Sequence, residues 1–397
     1  MRDRKPVKLG LIWAQFAAYH VDRCEAVAGR LGPRGTVLAI EVATTSADYA
    51  WEPSDEVVGA EKITLFPGSS FDDVHPLRRF WAMLRPAVRC DVVCIGLSYG
   101  LPDAILLSWT LRLLGRRVVV FSESKFDDKP RSASFEWLKA LVLSCYHAAI
   151  VGGRRHVDYF RFLGFRRRPV LPGYDTVGVN RIRGQATMAI GLQKVPFAER
   201  NFLFVGRFVD KKNLFTLIRG YARYVAAAGR PHRNLVLAGS GPSETELRLL
   251  VSELALQGQV EFRGFLSADA VSRTLAESLG LLLVSIEEQW GLVVNEALAL
   301  GLPVIVSNEV GARDLLVRNL ENGYVVESGS AESIARAMAL IAGNEANWHT
   351  MSQSSLERSM LGDCSRLADS LEAILFPEMT DAWQKVRELP VQMEHCP

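Results

Sequence analysis

Residues 285–314 read SIEEQWGLVVNEALALGLPVIVSNEVGARD. They follow an apolar run, residues 279–286, that predicts a buried strand. Two acids, an aromatic and a glycine come next: Glu287, Glu288, Trp290 and Gly291. A helical pattern carried by Leu292, Val293, Glu296, Ala297 and Leu300 stops at Gly301 and Pro303, and residues 303–306 predict another buried strand. Strand, loop, helix, strand is the unit of a parallel sheet. Ligands of such sheets sit beyond the carboxyl ends of the strands, among loops and helix N-termini. Glu288 and Glu296 both fall at that edge.

The same alternation extends in both directions. Before residue 172, strands at 7–13, 36–42, 62–65, 91–95, 117–121, 148–151 and 170–171 alternate with helical patterns. A second series starts with a strand at 202–205 and runs to helical patterns at 333–342, 345–360 and 365–375. Residues 172–200, rich in Gly, Arg and polar side chains, read as the linker between them. The fold class is therefore α/β, with two Rossmann-like, doubly wound domains facing each other across a cleft, residues 1–183 and 184–364.

The 397 residues exceed one ordinary core, and 49% hydrophobic with 23% charged residues is the composition of a soluble globular protein. The net charge of +2 hides an asymmetry: residues 77–131 hold ten Lys/Arg against five Asp/Glu, and 151–183 hold eight against two. A basic first half suits anionic lipid or a phosphorylated acceptor, and equally an ordinary solvated Arg-rich surface. The six cysteines, Cys24, Cys90, Cys94, Cys145, Cys364 and Cys396, form no CxxC and read as reduced thiols in a cytoplasm, with no zinc site. The N-terminus is basic and then apolar but too short in its apolar run for a signal peptide, and reads as a first strand. No run is long and apolar enough for a membrane span.

Three further segments carry candidate chemistry, beside the two acids already named. In VGRFVDKKNL, Gly206 lets the chain turn close to a ligand, while Arg207 and Lys212 lead into a helix N-terminus. Two cations and a helix dipole suit a pyrophosphate, though both also read as solvated loop residues. In AGSGPSETEL, Gly239 and Gly241 follow a strand. A GxG there is neither a GxGxxG nor after the first strand of its domain, which disfavours a dinucleotide site. In EFRGFL, Gly264 follows a strand, so the backbone of Phe265 and Leu266 either meets a base edge or only packs. Glu296, one turn inside its helix, leans back toward the N-terminus and can take the vicinal hydroxyls of a ribose. Glu288 can do the same for a hexose, and both acids also read as a loop acid and a dipole-stabilised helix acid.

Taken together, EEQWGLVVNEALALGLPVIVS resembles the signature of glycosyltransferase family 4, the retaining nucleotide-sugar transferases of the GT-B fold, with its Glu-x7-Glu on Glu288 and Glu296. GRFVDKKN resembles that family's phosphate motif, and GSGP, RGFL and GARDLLVRNLENGYVV follow in its order, over about residues 200–342. The resemblance implies that Arg207 and Lys212 hold and stabilise the departing donor diphosphate, that Glu296 binds the ribose, and that Glu288 contacts the donor sugar and shares in catalysis. It further implies that Gly239, Gly241, Phe265, Leu266, Trp290, Gly291 and Leu292 line the donor. It implies no cofactor and no metal, and no Asp-x-Asp stands at the site. It also implies that the last helix, within residues 365–397, packs back on the first domain.

The first domain matches less well. Strand 1 is followed by AQFAAYHVDR without a glycine pair, and SESKFDDKPR puts Glu123 where the family often has His. His20 and Glu123 are candidates for catalysis, and His20, Arg23, Glu123, Asp128 and Arg131 for acceptor binding; each also reads as a structural loop residue. Helix 77–89, LRRFWAMLRPAVR, is basic with Phe and Trp on its apolar side, and reads either as core packing or as a peripheral membrane contact. The expectation is a cytoplasmic retaining transferase that moves a sugar from a nucleotide-sugar to a glycan, lipid-linked or small-molecule hydroxyl, in surface polysaccharide or glycoconjugate synthesis, with no nucleic-acid partner. The alternative is a nucleotide-sugar-binding partner subunit without turnover.

Overall fold

A computed structural model describes residues 5–46, 56–190, 195–229, 231–379, 381, 383, 384 and 386. The chain divides after Gly178 and again after Asp363 into two compact units, the first of which also takes the segment from Cys364.

The first unit runs β1 (Val7–Trp13), α1 (Ala18–Leu31), β2 (Gly35–Thr45), β3 (Glu61–Ser70), α2 (Pro76–Ala87), β4 (Val92–Ile95), α3 (Pro102–Leu113), β5 (Arg117–Ser122), α4 (Ala133–Val142), β6 (Ala148–Val151), α5 (Arg154–Phe162) and β7 (Val170–Pro172). Its seven strands are parallel, in the order β3-β2-β1-β4-β5-β6-β7. The side-chain period of two feeds two cores from the same strands. Leu9, Leu11, Val92 and Cys94 point to one face, where Cys24 and Val27 of α1 meet them. Ile12, Val93 and Ile95 point to the other, against Phe80 and Met83 of α2, Leu107 of α3 and Phe160 of α5.

The second unit runs α6 (Val179–Ile190), β8 (Phe202–Val205), α7 (Leu214–Ala228), β9 (Leu235–Ala238), α8 (Glu244–Glu253), β10 (Val260–Gly264), α9 (Ala268–Glu277), β11 (Gly280–Leu283), α10 (Leu292–Ala299), β12 (Val304–Ser307), α11 (Arg313–Leu316), β13 (Gly323–Val326), α12 (Ala331–Gly343) and α13 (Glu345–Ser359). Its six parallel strands are ordered β10-β9-β8-β11-β12-β13. These are the two Rossmann-like sheets of the GT-B fold.

The last described helix, α14 (Ser365–Leu375), lies against α1 in the first unit. Leu367, Leu371 and Ile374 enter the α1-side core. Its acids Asp369 and Glu372 pair with Arg30, and Glu372 also with Arg34 at 2.5 Å. Residues 387–397, with Cys396, lie outside the described set.

Two elements depart from the sequence expectation. Residues 172–200, read as a linker, contain the twelve-residue helix α6, which belongs to the second unit. Its apolar signal is weak because it buries little beyond Val179, Ile182 and Ala186, and it is held by Arg183, whose Nε donates to Ala299 O at 2.9 Å. Helix α9 was also not anticipated. Its N-terminus is set by Ser267, whose hydroxyl accepts from Ala270 N at 3.4 Å.

Candidate functional site

In the second unit the chain steps from β8 outward through β9 to β10, then returns to lay β11 on the other side of β8. The carboxyl ends of β8 and β11 thus flank a topological switch point, where the two crossover helices diverge and leave a crevice. The loops from those two strands carry Arg207 and Lys212, and Glu288.

The β8 loop is held tightly. After Gly206 the chain places Arg207 in solvent and buries Phe208, then makes a single 3-10 turn over Asp210–Lys212. Asn213 closes it in the left-handed region, φ 58°, which Asn tolerates better than most residues. Its amide donates to Val284 O at 2.9 Å and Ser328 O at 2.6 Å, so one side chain ties the loops after β8, β11 and β13 together. Ile286 N adds a bond to Lys211 O at 2.9 Å.

Lys212 Nζ forms an ion pair with Glu288 Oε2. The same oxygen accepts from Ser285 Oγ at 2.9 Å, and Ser285 O is held by Ser307 Oγ at 2.6 Å. Both side chains are largely buried, 14% and 12% exposed. A buried cation and its counter-ion lose much of their hydration, so the desolvation of Lys212 is already offset by Glu288 in this arrangement. Arg207 offers a second, exposed cation on the same loop.

Gly239 and Gly241 have a different basis from ligand contact alone. A Cβ on Gly239 (φ 137°) would stand 1.9 Å from Gly206 O, and one on Gly241 2.4 Å from Phe208 O. The β9 loop is thereby seated on the β8 loop, with Phe208 N donating to Ser240 O at 2.8 Å and Gly206 N to Ala238 O at 3.0 Å. At the end of β10, Phe265 is 61% exposed and Leu266 half-buried. Gly291, φ 97°, is the N-cap of α10; Leu292 and Glu296 on that helix are half-buried.

Trp290 is a correction. It is 2% exposed, its indole N–H donates to Asn295 Oδ1 at 2.9 Å, and its carbonyl accepts from Ala312 N at 3.0 Å. The family resemblance implies that Trp290 lines the donor, whereas here the ring packs in the core of the second unit. Asn295, which also donates to Gly362 O at 3.1 Å, went unnoticed because a buried Asn in an apolar helix has no spacing signature. Gly311 was likewise missed: a Cβ there would lie 1.8 Å from Gln289 O, so this glycine lets residues 288–290 pair with 310–312.

The candidates in the first unit are mostly committed to structure. His20 is 4% exposed and its Nδ1 accepts from Ala17 N at 2.9 Å, which starts α1 earlier than the apolar pattern indicates. Burial, and then Arg23, hold its pKa well below the usual histidine range, so the imidazole is neutral. Arg23 is 1% exposed, donates from Nε to Thr176 O at 3.0 Å, and stacks on Tyr19 and Tyr174 at 4.7 and 4.9 Å. Asp128 is the counter-ion of the fully buried Lys125 at 3.0 Å. Arg131 is spent on Phe126 O at 2.7 Å, Lys125 O and the Tyr159 ring. The side chains of Arg23, on α1, and of Asp128 and Arg131, between β5 and α4, are thus engaged in holding the first unit together. Half-buried Glu123 acts on Asp175, whose carboxyl is pushed well above the usual range by burial and by the neighbouring Glu123 charge, against the pull of Arg23.

Residues 193–358 match the family described as Glycosyl transferases group 1. An uncharacterized glycosyltransferase of Methanocaldococcus jannaschii is 33% identical over 137 residues, 34% of this chain and 34% of its own length. The lipopolysaccharide core biosynthesis glycosyltransferase LpsE of Rhizobium meliloti is 34% identical over 137 residues, 34% of this chain and 38% of its own. The chain thus matches little more than a third of the length of these curated relatives. The crystal structure of Anabaena HepE in complex with UDP and glucose superposes with a TM-score of 0.70 at 15% identity, covering 93% of this chain and 99% of that one. This is a likeness of fold.

Proposed function

We propose, from the match of residues 193–358 to the family described as Glycosyl transferases group 1, that this protein is a retaining glycosyltransferase of family 4 type, moving a hexosyl or related sugar from a nucleotide-sugar donor to an acceptor hydroxyl. The single observation that carries the reading is the meeting of Lys212 and Glu288 at the β8/β11 switch point, with Arg207 on the same loop. The bond between the anomeric carbon and the diphosphate breaks with its electron pair on the departing phosphate, so fixed positive charge at that oxygen lowers the barrier. Lys212, Arg207 and the N-terminus of α10 supply it without a metal. As the diphosphate takes Lys212, Glu288 is released to bind sugar hydroxyls. Glu296, one turn into α10, takes the ribose, and exposed Phe265 the base.

The UDP and glucose held by HepE, and the lipopolysaccharide role of LpsE, support a nucleotide-sugar donor and a surface-glycan acceptor. Among the described residues no helix is long and apolar enough to cross a membrane. Incubation of the protein with a panel of nucleotide sugars, with and without glycan and lipid-linked acceptors, reads the release of nucleoside diphosphate. Release from at least one donor that rises with an acceptor is expected. Binding of donor with no turnover on any acceptor would make the chain a non-catalytic partner subunit.

A further inference from the structure

Helix α4, sequence ASFEWLKALV, is built inside out. The residue it buries is an acid, Glu136, 5% exposed. Tyr159 donates its hydroxyl to Glu136 Oε2 at 2.5 Å, and Lys139 Nζ bonds Oε1 at 2.8 Å. Its large apolar side chains face out: Phe135 58%, Trp137 69%, Leu138 47% and Leu141 49% exposed. A water-facing helix on a sheet has the opposite arrangement. Helix α2 by contrast buries Phe80 and Met83, although Leu77 and Trp81 remain exposed on it.

The patch continues past the helix. Phe126 and Phe162, 51% and 60% exposed, meet edge to face with centroids 5.7 Å apart. Among the described residues, six of the twenty-one exposed large apolar side chains, Phe126, Phe135, Trp137, Leu138, Leu141 and Phe162, belong to this face, which is more than the ordinary single scatter of a surface. The surroundings are cationic. Between residues 125 and 168 the exposed cations are Lys129, Arg154, Arg161, Arg166 and Arg167. The two exposed acids there are already paired, Asp127 with Arg155 at 2.5 Å and Asp158 with Arg161 at 3.7 Å.

We propose that α4, with the Phe126–Phe162 pair, is a docking face for an anionic phospholipid bilayer, its aromatic and leucine side chains entering the interfacial zone while the flanking cations meet headgroup phosphates. Charge complementarity selects this occupant. Apolar tips on a convex helix, ringed by Lys and Arg, match an in-plane interfacial helix. Trp and Phe are suited to the headgroup boundary, and an anionic leaflet attracts the basic surround. This face is distinct from residues 77–89, where Phe80 and Met83 enter the core while Leu77 and Trp81 are exposed, and it does not depend on the transfer activity.

The test is co-sedimentation of the full chain with phosphatidylcholine vesicles, alone or mixed with phosphatidylglycerol, at low and high salt. The wild type binds mixed vesicles and is released by salt. A Trp137→Ser/Leu141→Ser variant loses about tenfold or more of that binding, as removal of two large interfacial side chains predicts. Phe135→Ser on the same helix weakens it by itself, and Trp81→Ser on α2 leaves it within about twofold. Far-UV circular dichroism verifies that the variants are folded. Binding of the double variant at the wild-type level overturns the assignment, as does a wild type that sediments with neither vesicle. A concentration-dependent dimer abolished by the double variant, without vesicle binding, would instead make the face a contact between two copies of this chain.

Discussion

Lys212 and Glu288, 76 residues apart in the chain, form an ion pair that joins the loops after β8 and β11, the two strands between which the second sheet reverses. In the proposed reaction the pair stores the cation for the leaving diphosphate beside the acid for the sugar. Glu288→Gln removes the competitor for Lys212. Nucleoside diphosphate should therefore bind the variant at least as tightly as the wild type, while transfer falls by about 10²-fold or more because a preorganised charge contact is gone. Titration calorimetry with the diphosphate, beside a transfer assay, separates the two effects. Weaker diphosphate binding in Glu288→Gln would argue that Glu288 positions Lys212 and does not restrain it.

Arg207→Ala and Lys212→Ala are expected to lower transfer by about 10²- to 10³-fold each. Glu296→Ala should weaken nucleotide binding by about 10- to 100-fold, the range for a hydrogen bond to a charged group. Arg207 is exposed, so its loss should move the unfolding free energy by no more than about 0.5 kcal/mol. Steady-state kinetics and a denaturant melt check this set, and near wild-type rates in either cation variant would remove the leaving-group assignment.

Gly239→Ala forces a Cβ onto Gly206 O at 1.9 Å in a backbone conformation with φ 137°. The β9 loop must lift off the β8 loop that carries Arg207. A loss of about 1–3 kcal/mol is expected from the strain, together with reduced donor affinity. Asn295→Ala leaves the buried indole N–H of Trp290 unpaired and should cost about 1–3 kcal/mol. Unchanged melting temperatures in both would contradict this reading of the loop architecture.

Asp175 provides a pH signature. Its carboxyl is held protonated in the fold by burial and by Glu123, so its folded pKa lies above the unfolded value of 3.8. Below 3.8 both states carry the proton and nothing is lost. As pH rises from there toward the folded pKa, the unfolded state ionises first and stability falls. Asp175→Asn cannot ionise. The melting temperature of the Asn variant relative to the wild type should therefore rise from about pH 4 toward neutrality. A difference that moves the other way would mean that Arg23 wins and Asp175 is ionised in the fold. His20 acts on the other side: its folded pKa lies below 6.5, and the stability it contributes is present above 6.5 and lost as pH falls beneath that value.

The alternation of apolar runs and amphipathic patterns was enough to read two parallel sheets, because buried parallel strands such as Val92–Ile95 and Gly280–Leu283 are apolar on both faces. Order and spacing of motifs also brought Lys212 and Glu288 to one site. What sequence could not reveal is where tertiary contact decides. Helix α6 is stabilised by Arg183 reaching Ala299 O, a partner more than a hundred residues away. Trp290 looks like a platform until Asn295 is seen to hold its indole. Asp128 and Arg131 look like acceptor ligands until buried Lys125 is seen to need them. The inverted face of α4 was invisible for the same reason, since periodicity marks an apolar stripe but not which side the sheet lies on.

The most direct test of the central claim is a thermal-shift panel of UDP, GDP, ADP and dTDP, and of their sugars, on the wild type and on Lys212→Ala. Binding to the native state raises the melting temperature in proportion to affinity. The account predicts a rise with the diphosphate and sugar of at least one base, lost in Lys212→Ala. No shift with any nucleotide, or an equal shift in both proteins, would contradict it.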